Sequence, residues 1–501
     1  METDLFQKRR AGILLHPTSL PGPYGIGSFG RWAYRWIDRL HESGVGIWQV
    51  LPLGPTGFGD SPYQCYSAFA GNPLLIDLPL LEEEGFICEN LHGSRDDFEE
   101  ERVDFERVRA YKLPLLFQAY RTMRRNGLLR EAFETFCAKE SHWLDDYALF
   151  MALKERHGGR AWQSWEPALA RRDPDALKAF ASAHTEAVDR WRFWQFLFER
   201  QWQNLRSYAR LKGVEIVGDM PIYVAEDSSD VWAASHLFEL DDHGYPRRVA
   251  GVPPDAFSAT GQCWGNPLYA WDAMAKEGYA WWRRRMARAL SLYNHVRIDH
   301  FRGFESYWAI PAEAETAADG EWVKGPGKAF FDRLGEDLGP MPLIAEDLGI
   351  ITDEVTRLRE SLRMPGMKIL QFAFEGDADN PYLPHNYTDR CVVYTGTHDN
   401  DTTAGWYDSL DEAVQKKVCR YLDCSEERVV GTMMRAALAS VAKWAVLPMQ
   451  DLLELGSEAR MNQPGEATGN WRWRMTSNDL IDADWPTLNE MIRLYGRSKK
   501  I

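Results

Sequence analysis

Apolar residues along this chain gather in eight short runs, and most of the runs end abruptly in polar residues. The runs and their ends occupy residues 11–15, 47–51, 214–223, 296–303, 343–349, 367–374, 391–401 and 444–448. Each is short and rich in branched or aromatic side chains, which predicts buried strands. Helical spacing separates most of them. Ala33, Trp36, Ile37 and Leu40 recur at i, i+3, i+4 and i+7, with Gly44 as a stop. Between about 80 and 211 the pattern is helical throughout, with Leu144, Tyr147, Ala148 and Met151 on one face and Trp191, Trp194 and Phe198 on another. A helix beginning near Asp353 repeats at Val355, Leu358 and Leu362. No period of 20–50 residues recurs, which sets aside a solenoid.

Eight strands alternating with helices and polar at their C-terminal ends predict an α/β protein of the (β/α)8 TIM-barrel class, whose sites form at those ends. An open doubly wound sheet shares the alternation. It does not account for acids at the ends of the third, fourth, fifth and seventh strands together. The whole of 1–501 reads as one catalytic barrel. A mostly helical insertion of about 80–211 lies between strands two and three, and a loop and helical insertion of about 228–290 between strands three and four. No separate C-terminal β domain is expected.

Composition narrows the class. The chain has 501 residues, 45% hydrophobic and 26% charged, as a globular protein does. A formal net charge of −16 argues against a nucleic-acid partner. Seven cysteines, at 65, 88, 137, 263, 391, 419 and 424, form no Cys-x-x-Cys pair, so neither a disulfide framework nor a zinc site is indicated. The start Met-Glu-Thr-Asp lacks the features of a signal peptide. The apolar stretch 436–450 is interrupted by Lys443 and is too short for a bilayer. The expectation is a cytoplasmic protein with no membrane partner. The 21 Trp exceed core needs at first sight; an indole also suits the apolar face of a pyranose.

The chemistry lies at the strand ends. In Val296-Arg297-Ile298-Asp299-His300, Arg297 and Asp299 share a strand face, and a cation there favours an ionised carboxylate. Asp299, Glu346 and Asp399 close three different strands. Glycosidic-bond chemistry needs a carboxylate nucleophile and a protonated acid. Asp299 suits the first role, Glu346 the second, and Asp399 the stabilisation of positive charge on the sugar. Gly25-Ile26-Gly27-Ser28-Phe29-Gly30 matches a dinucleotide fingerprint, yet a proline-rich loop separates it from its strand and no acid for a ribose ends the next strand. A metal use of His300, His398, Asp399 and Asp401 lacks any recognised ligand spacing. The loop Gly59-Asp60-Ser61-Pro62-Tyr63-Gln64 carries polar and aromatic tips suited to a sugar. The Gly/Pro-rich loops 251–267 and 460–473 are candidates for shelter over the site.

Gly218-Asp219-Met220-Pro221, Val296-Arg297-Ile298-Asp299-His300, Ala345-Glu346-Asp347-Leu348-Gly349 and Thr397-His398-Asp399-Asn400-Asp401 resemble the four signature regions of the α-amylase superfamily. More narrowly, the chain resembles the amylomaltase (4-α-glucanotransferase) family. That likeness rests on residues 16–24 (His-Pro-Thr-Ser-Leu-Pro-Gly-Pro-Tyr), 59–64, 251–255, 265–267 and 383–387, on Arg460-Met461-Asn462, and on Gly469-Asn470-Trp471. The resemblance implies retaining transfer between α-1,4-glucans without a cofactor or metal. It implies Asp299 as nucleophile, Glu346 as acid/base and Asp399 as stabiliser. Asp219, Arg297, His300 and His398 would line the reacting subsite, and Ser61, Tyr63, Trp264 and Asn470 would contact sugars. Maltooligosaccharides and amylose would be substrates, with glucose as an acceptor. The family loop around Phe58 often carries tyrosine, so the secondary glucan groove there is not carried over. An amylase-type hydrolase on the same barrel and a non-catalytic glucan-binding protein are the rival readings.

Overall fold

The computed structural model describes residues 6, 8–87, 98–254 and 260–498. Cys88 and residues 255–259 of the 251–267 loop lie outside them. In chain order the strands among the described residues are β1 (Arg10–Leu14), β2 (Ile47–Gln49), β3 (Glu215–Pro221), β4 (Arg248–Val252), β5 (Gln262–Pro267), β6 (His295–Asp299), β7 (Ser306–Pro311), β8 (Glu321–Lys324), β9 (Leu343–Ala345), β10 (Gly366–Ile369), β11 (Cys391–Tyr394) and β12 (Trp444–Pro448). Eight of them form one parallel sheet in the order β10-β11-β12-β1-β2-β3-β6-β9. They coincide with the eight apolar runs, and the sheet curls nearly shut as a (β/α)8 barrel. The sixth run is shorter than its apolar pattern. β10 stops at Ile369 and the chain turns into a 3-10 helix over Leu370–Phe374, so Leu370, Ala373 and Phe374 are buried without being strand residues.

Seven of the eight joints are parallel ladders. Between β9 and β10 the backbone contact is a hydrogen bond from the Ala345 N–H to the Pro365 carbonyl, at 3.0 Å. The Met367 N–H also donates to the Asp347 carboxylate at 2.7 Å. The opposite, N-terminal end of the barrel is closed by charge. Glu215 accepts from Arg10 at 2.7 Å and lies 2.8 Å from His295 Nε2, whose ring sits edge-on to Trp444. Arg497, 1% exposed, donates to the carbonyls of Leu438, Ala442, Lys443 and Arg10 at 2.6–3.1 Å.

Between β2 and β3 lie three long helices, Phe105–Asn126, Arg130–Arg156 and Thr185–Lys212. Asp104 caps the first through the Arg107 N–H, and Gly127 and Gly213 end the first and third in the left-handed region. Their inward faces are aromatic, with Trp143, Trp191, Trp194, Phe193 and Phe196 buried together. The tryptophan surplus is therefore chiefly core. Seven Trp are among the largest fully buried side chains, while Trp322 is 42% exposed.

The second insertion differs from its loop and helical expectation. β4 and β5 pair antiparallel within it and join β7 and β8 in a sheet of order β5-β4-β7-β8. β7 and β8 alternate too briefly to stand out from the turns around them. The glycine motif at 25–30 serves packing. Gly30 caps the Arg31–Glu42 helix, and a Cβ there would meet the Asp77 carboxylate at 2.0 Å. A carboxylate at that helix N-terminus excludes the pyrophosphate of the dinucleotide reading. Among the described residues no helix is long and apolar enough to cross a membrane.

Candidate active site

The register of β3 against β6 builds the centre. Asp219 pairs with Arg297 and Pro221 with Asp299. Partners in a parallel ladder face the same way, as do residues two apart on one strand. Asp219, Arg297 and Asp299 therefore converge. Gly218 lets β3 lie against Tyr293, whose ring a Cβ would meet at 2.1 Å. Arg297 Nη1 donates to both oxygens of Asp219 at 2.9 and 2.7 Å and forms an ion pair with Asp299 Oδ1 at 2.9 Å. The Tyr63 hydroxyl donates to Asp219 Oδ2 at 2.9 Å. Burial alone would lower the Arg297 pKa; the Asp219 and Asp299 carboxylates outweigh it and hold the guanidinium charged.

Glu346 follows β9 directly. Its N–H bonds to the Ile298 carbonyl at 3.0 Å, which sets it level with Asp299 across the β6–β9 ladder. His300 then leaves β6 in the left-handed region, φ +54°. That turn aims its N–H at Glu346 Oε2, at 2.7 Å, while the Leu348 N–H donates to Oε1 at 2.9 Å. The His300 ring stands edge-on to Trp264 of β5 at 4.8 Å, and its buried Nε2 has no hydrogen-bond partner among the described residues. Burial and the nearby Arg302 pull the His300 pKa down to about 3, so the imidazole is neutral.

The carboxyls outnumber the cation. Burial raises Asp299 to about 8, Arg297 opposes this, and Asp219, Glu346 and Asp399 add to it. Burial likewise raises Glu346. Two raised carboxyls at one site titrate as a pair. Arg297 touches Asp299 and opposes the rise at both carboxyls, while the His300 and Leu348 N–H groups favour an ionised Glu346, so a half-protonated pair shares its one proton between Asp299 and Glu346.

The third acid comes from the end of β11. Asp399 Oδ2 lies 3.3 Å from His398 Nε2, and Asn462 Nδ2 donates to Oδ1 at 2.6 Å. Burial lowers the His398 pKa. The His398 ring stacks on Tyr63 at 5.1 Å and 9°, and Trp471 packs against both. Arg460 donates to the Asp399 carbonyl at 2.7 Å.

Tyr63, Asp219, Arg297, Asp299, His300, Glu346, His398 and Asp399 thus form one contiguous constellation. Trp264 borders it through His300. Ser61 orders the loop beneath, its Oγ accepting from the Tyr63 N–H at 3.2 Å. Asn470 is placed differently. Its carbonyl oxygen accepts from the Gln463 N–H at 3.0 Å and its amide donates to Glu466 O at 2.8 Å, so the side chain is engaged within its own loop. Phe58 is 78% exposed at the tip of the neighbouring loop. Sequence reasoning gave no role to Asn462 or Arg460; Gln64, read with Tyr63 as part of a sugar-binding loop, donates to Trp264 O and Asn266 Oδ1. The motif holding Asn462 was visible, but its contact spans 63 residues and leaves no local trace. Among the described residues no cluster of three or more His, Cys, Asp or Glu could hold a metal ion.

Comparison with known proteins places this geometry. The sequence profile described as 4-alpha-glucanotransferase, glycoside hydrolase family 77, matches residues 15–479. A 4-alpha-glucanotransferase of Thermus thermophilus is 52% identical over 499 residues, covering 98% of this chain and 99% of its own. A chloroplastic/amyloplastic 4-alpha-glucanotransferase of Arabidopsis thaliana is 46% identical over 98% of this chain and 86% of its own. Among solved structures, the amylomaltase of Streptococcus agalactiae in complex with acarbose superposes with a TM-score of 0.94 at 40% identity, covering 98% of this chain and 100% of that one.

Proposed function

Since the chain belongs to the 4-alpha-glucanotransferase family, we propose that it moves α-1,4-glucan segments by a retaining double displacement centred on Asp299, Glu346 and Asp399. An Asp299 oxygen attacks the anomeric carbon while Glu346 gives its proton to the glycosidic oxygen. The C–O bond breaks, the reducing-end fragment departs, and a β-glycosyl ester remains on Asp299. The 4-hydroxyl of a second glucan, or of glucose, then attacks the same carbon. Its proton passes to Glu346, the ester bond breaks, and an α-linkage is restored. Asp399 holds a negative charge toward the oxocarbenium-like ring as it forms. The neutral His300 and the Asp219–Arg297 pair hold the sugar hydroxyls, and Tyr63 supplies a wall. Maltooligosaccharides and amylose act as donors. Acarbose in the S. agalactiae amylomaltase supports an oligosaccharide in this groove.

The observation that carries the proposal is the three strand-end carboxyls around one buried guanidinium, two of them, Asp299 and Glu346, raised by burial so that they can hold one proton between them. A hydrolase would use the same groups, and the family favours transfer over it. Incubation of the purified protein with maltotriose alone decides the matter. Glucose together with a ladder of longer maltooligosaccharides is the expected product set. Glucose and maltose with nothing longer would assign hydrolysis instead.

A further inference from the structure

The segment 460–471 is a closed loop docked onto Asp399. Its ends meet where the Trp471 N–H donates to Met461 O at 2.7 Å. Asn470 ties its interior, and a Cβ at Gly59 would meet the Ala467 carbonyl at 3.1 Å, so its tip abuts the 57–60 loop. Three bonds fasten its base to the end of β11. The Asn462 N–H donates to His398 O at 3.0 Å, Arg460 Nη2 to Asp399 O at 2.7 Å, and Asn462 Nδ2 to Asp399 Oδ1 at 2.6 Å. Only the last of these touches the carboxylate. Asp399 needs such a hold, because its side chain is 43% exposed and its other oxygen is met by His398, its own neighbour in sequence, at the longer distance of 3.3 Å.

We propose that Asn462 is a positioning residue for Asp399, and that through it the aim of that carboxylate depends on the seating of the 460–471 loop. The inference rests on the role given to Asp399 above. A neutral amide is the fitting donor, since it fixes Oδ1 without removing the charge the sugar requires. With the loop lifted, Oδ1 loses its anchor and the carboxylate turns freely. With the loop seated, the same contact that shelters the site aims Asp399. Transfer is thereby confined to the closed state, in which water is excluded.

The groups facing Asp399 are His398, Asp299 and the Tyr63 hydroxyl from the strand ends and the 61–64 loop, and Arg460 from the docked loop. Two variants test the assignment against them. In Asn462→Ala, kcat for maltotriose disproportionation should fall about 10- to 100-fold, the worth of a hydrogen bond to a charged group, while KM and the melting temperature hold. Asn462→Asp is isosteric and sets two carboxylates together. Its activity relative to wild type should be lowest at neutral pH and should rise as pH falls, because the protonated carboxyl then donates where the amide did. An unchanged kcat in Asn462→Ala overturns the proposal. So does a loss confined to KM, which would make Asn462 a sugar contact. A lowered melting temperature without acid recovery of Asn462→Asp overturns it in favour of a structural role. Asp399→Asn, run in parallel, separates the premise. If that variant stays active, the role of Asp399 itself fails; if it is inactive while both Asn462 variants behave as wild type, only the present inference fails.

Discussion

Replacing Arg297 with Met keeps the length of the side chain and removes the one guanidinium at the centre of the site. Arg297 makes three contacts of 2.7–2.9 Å to Asp219 and Asp299. At an effective dielectric of about 20, each of the two ion pairs represents roughly 6 kcal/mol of gross attraction. Desolvation of the buried ions offsets most of this. Removing one partner leaves the others buried and unpaired, and the net cost is about 3–5 kcal/mol. The same change acts on the chemistry. Asp299 stands at about 8 with Arg297 in place. Without the cation it rises by a further ~1–3 units, and at fixed pH below that value the ionised fraction falls about tenfold per unit. The acid limb of kcat/KM for maltotriose should move to higher pH, activity at neutral pH should fall about 10- to 1000-fold, and alkaline pH should restore part of it. Unfolding followed by circular dichroism should show the lost stability independently. An Arg297→Met enzyme that melts as wild type with an unmoved acid limb would refute the reasoning.

Glu346→Gln should lose about 10²- to 10⁴-fold with maltotriose yet form the ester far more readily from an α-maltosyl fluoride, whose leaving group needs no proton; equal losses on both donors would remove Glu346 from the acid role. Burial would raise Glu215, but His295 and Arg10 pull it from 4.5 down to about 2. Its contribution is therefore complete above about 4.5 and lost as pH falls through about 2. Discounted for its one-third exposure, that is about 1–2 kcal/mol, and Glu215→Gln should flatten the acid end of the melting curve against pH. Arg497→Met should cost at least about 3 kcal/mol in thermal unfolding, since several buried carbonyls lose their donor at once.

The barrel was legible because each strand announces itself locally, by an apolar run and a polar end. Asp299, Glu346 and Asp399 were legible because the fold gathers strand ends whatever lies between them. The Arg297 to Asp219 contacts were not, since they depend on the register of strands 78 residues apart. The aromatic content pointed two ways, and only burial decides that Trp191 and Trp194 are core. Asn470 lies in a recognisable motif, yet a motif does not reveal that its side chain also ties its own loop. The β4, β5, β7 and β8 sheet was hidden because its strands are short and partly exposed, with no continuous apolar signature.

The single unladdered joint of the barrel makes it, mechanically, a split ring. Asp299 and Glu346 stand together on one lip, locked by the β6–β9 ladder. Asp399 stands on the other, one strand past the gap, in the segment that follows β11. A small opening of the split leaves the spacing of Asp299 and Glu346 unchanged while it draws Asp399 away from them. The amides of Ala345 and Met367, which bridge the lips, are where hydrogen exchange should first report that breathing. In the proposed reaction, a sugar ring flattening toward its transition state would meet a rigid jaw on one side and a sprung one on the other.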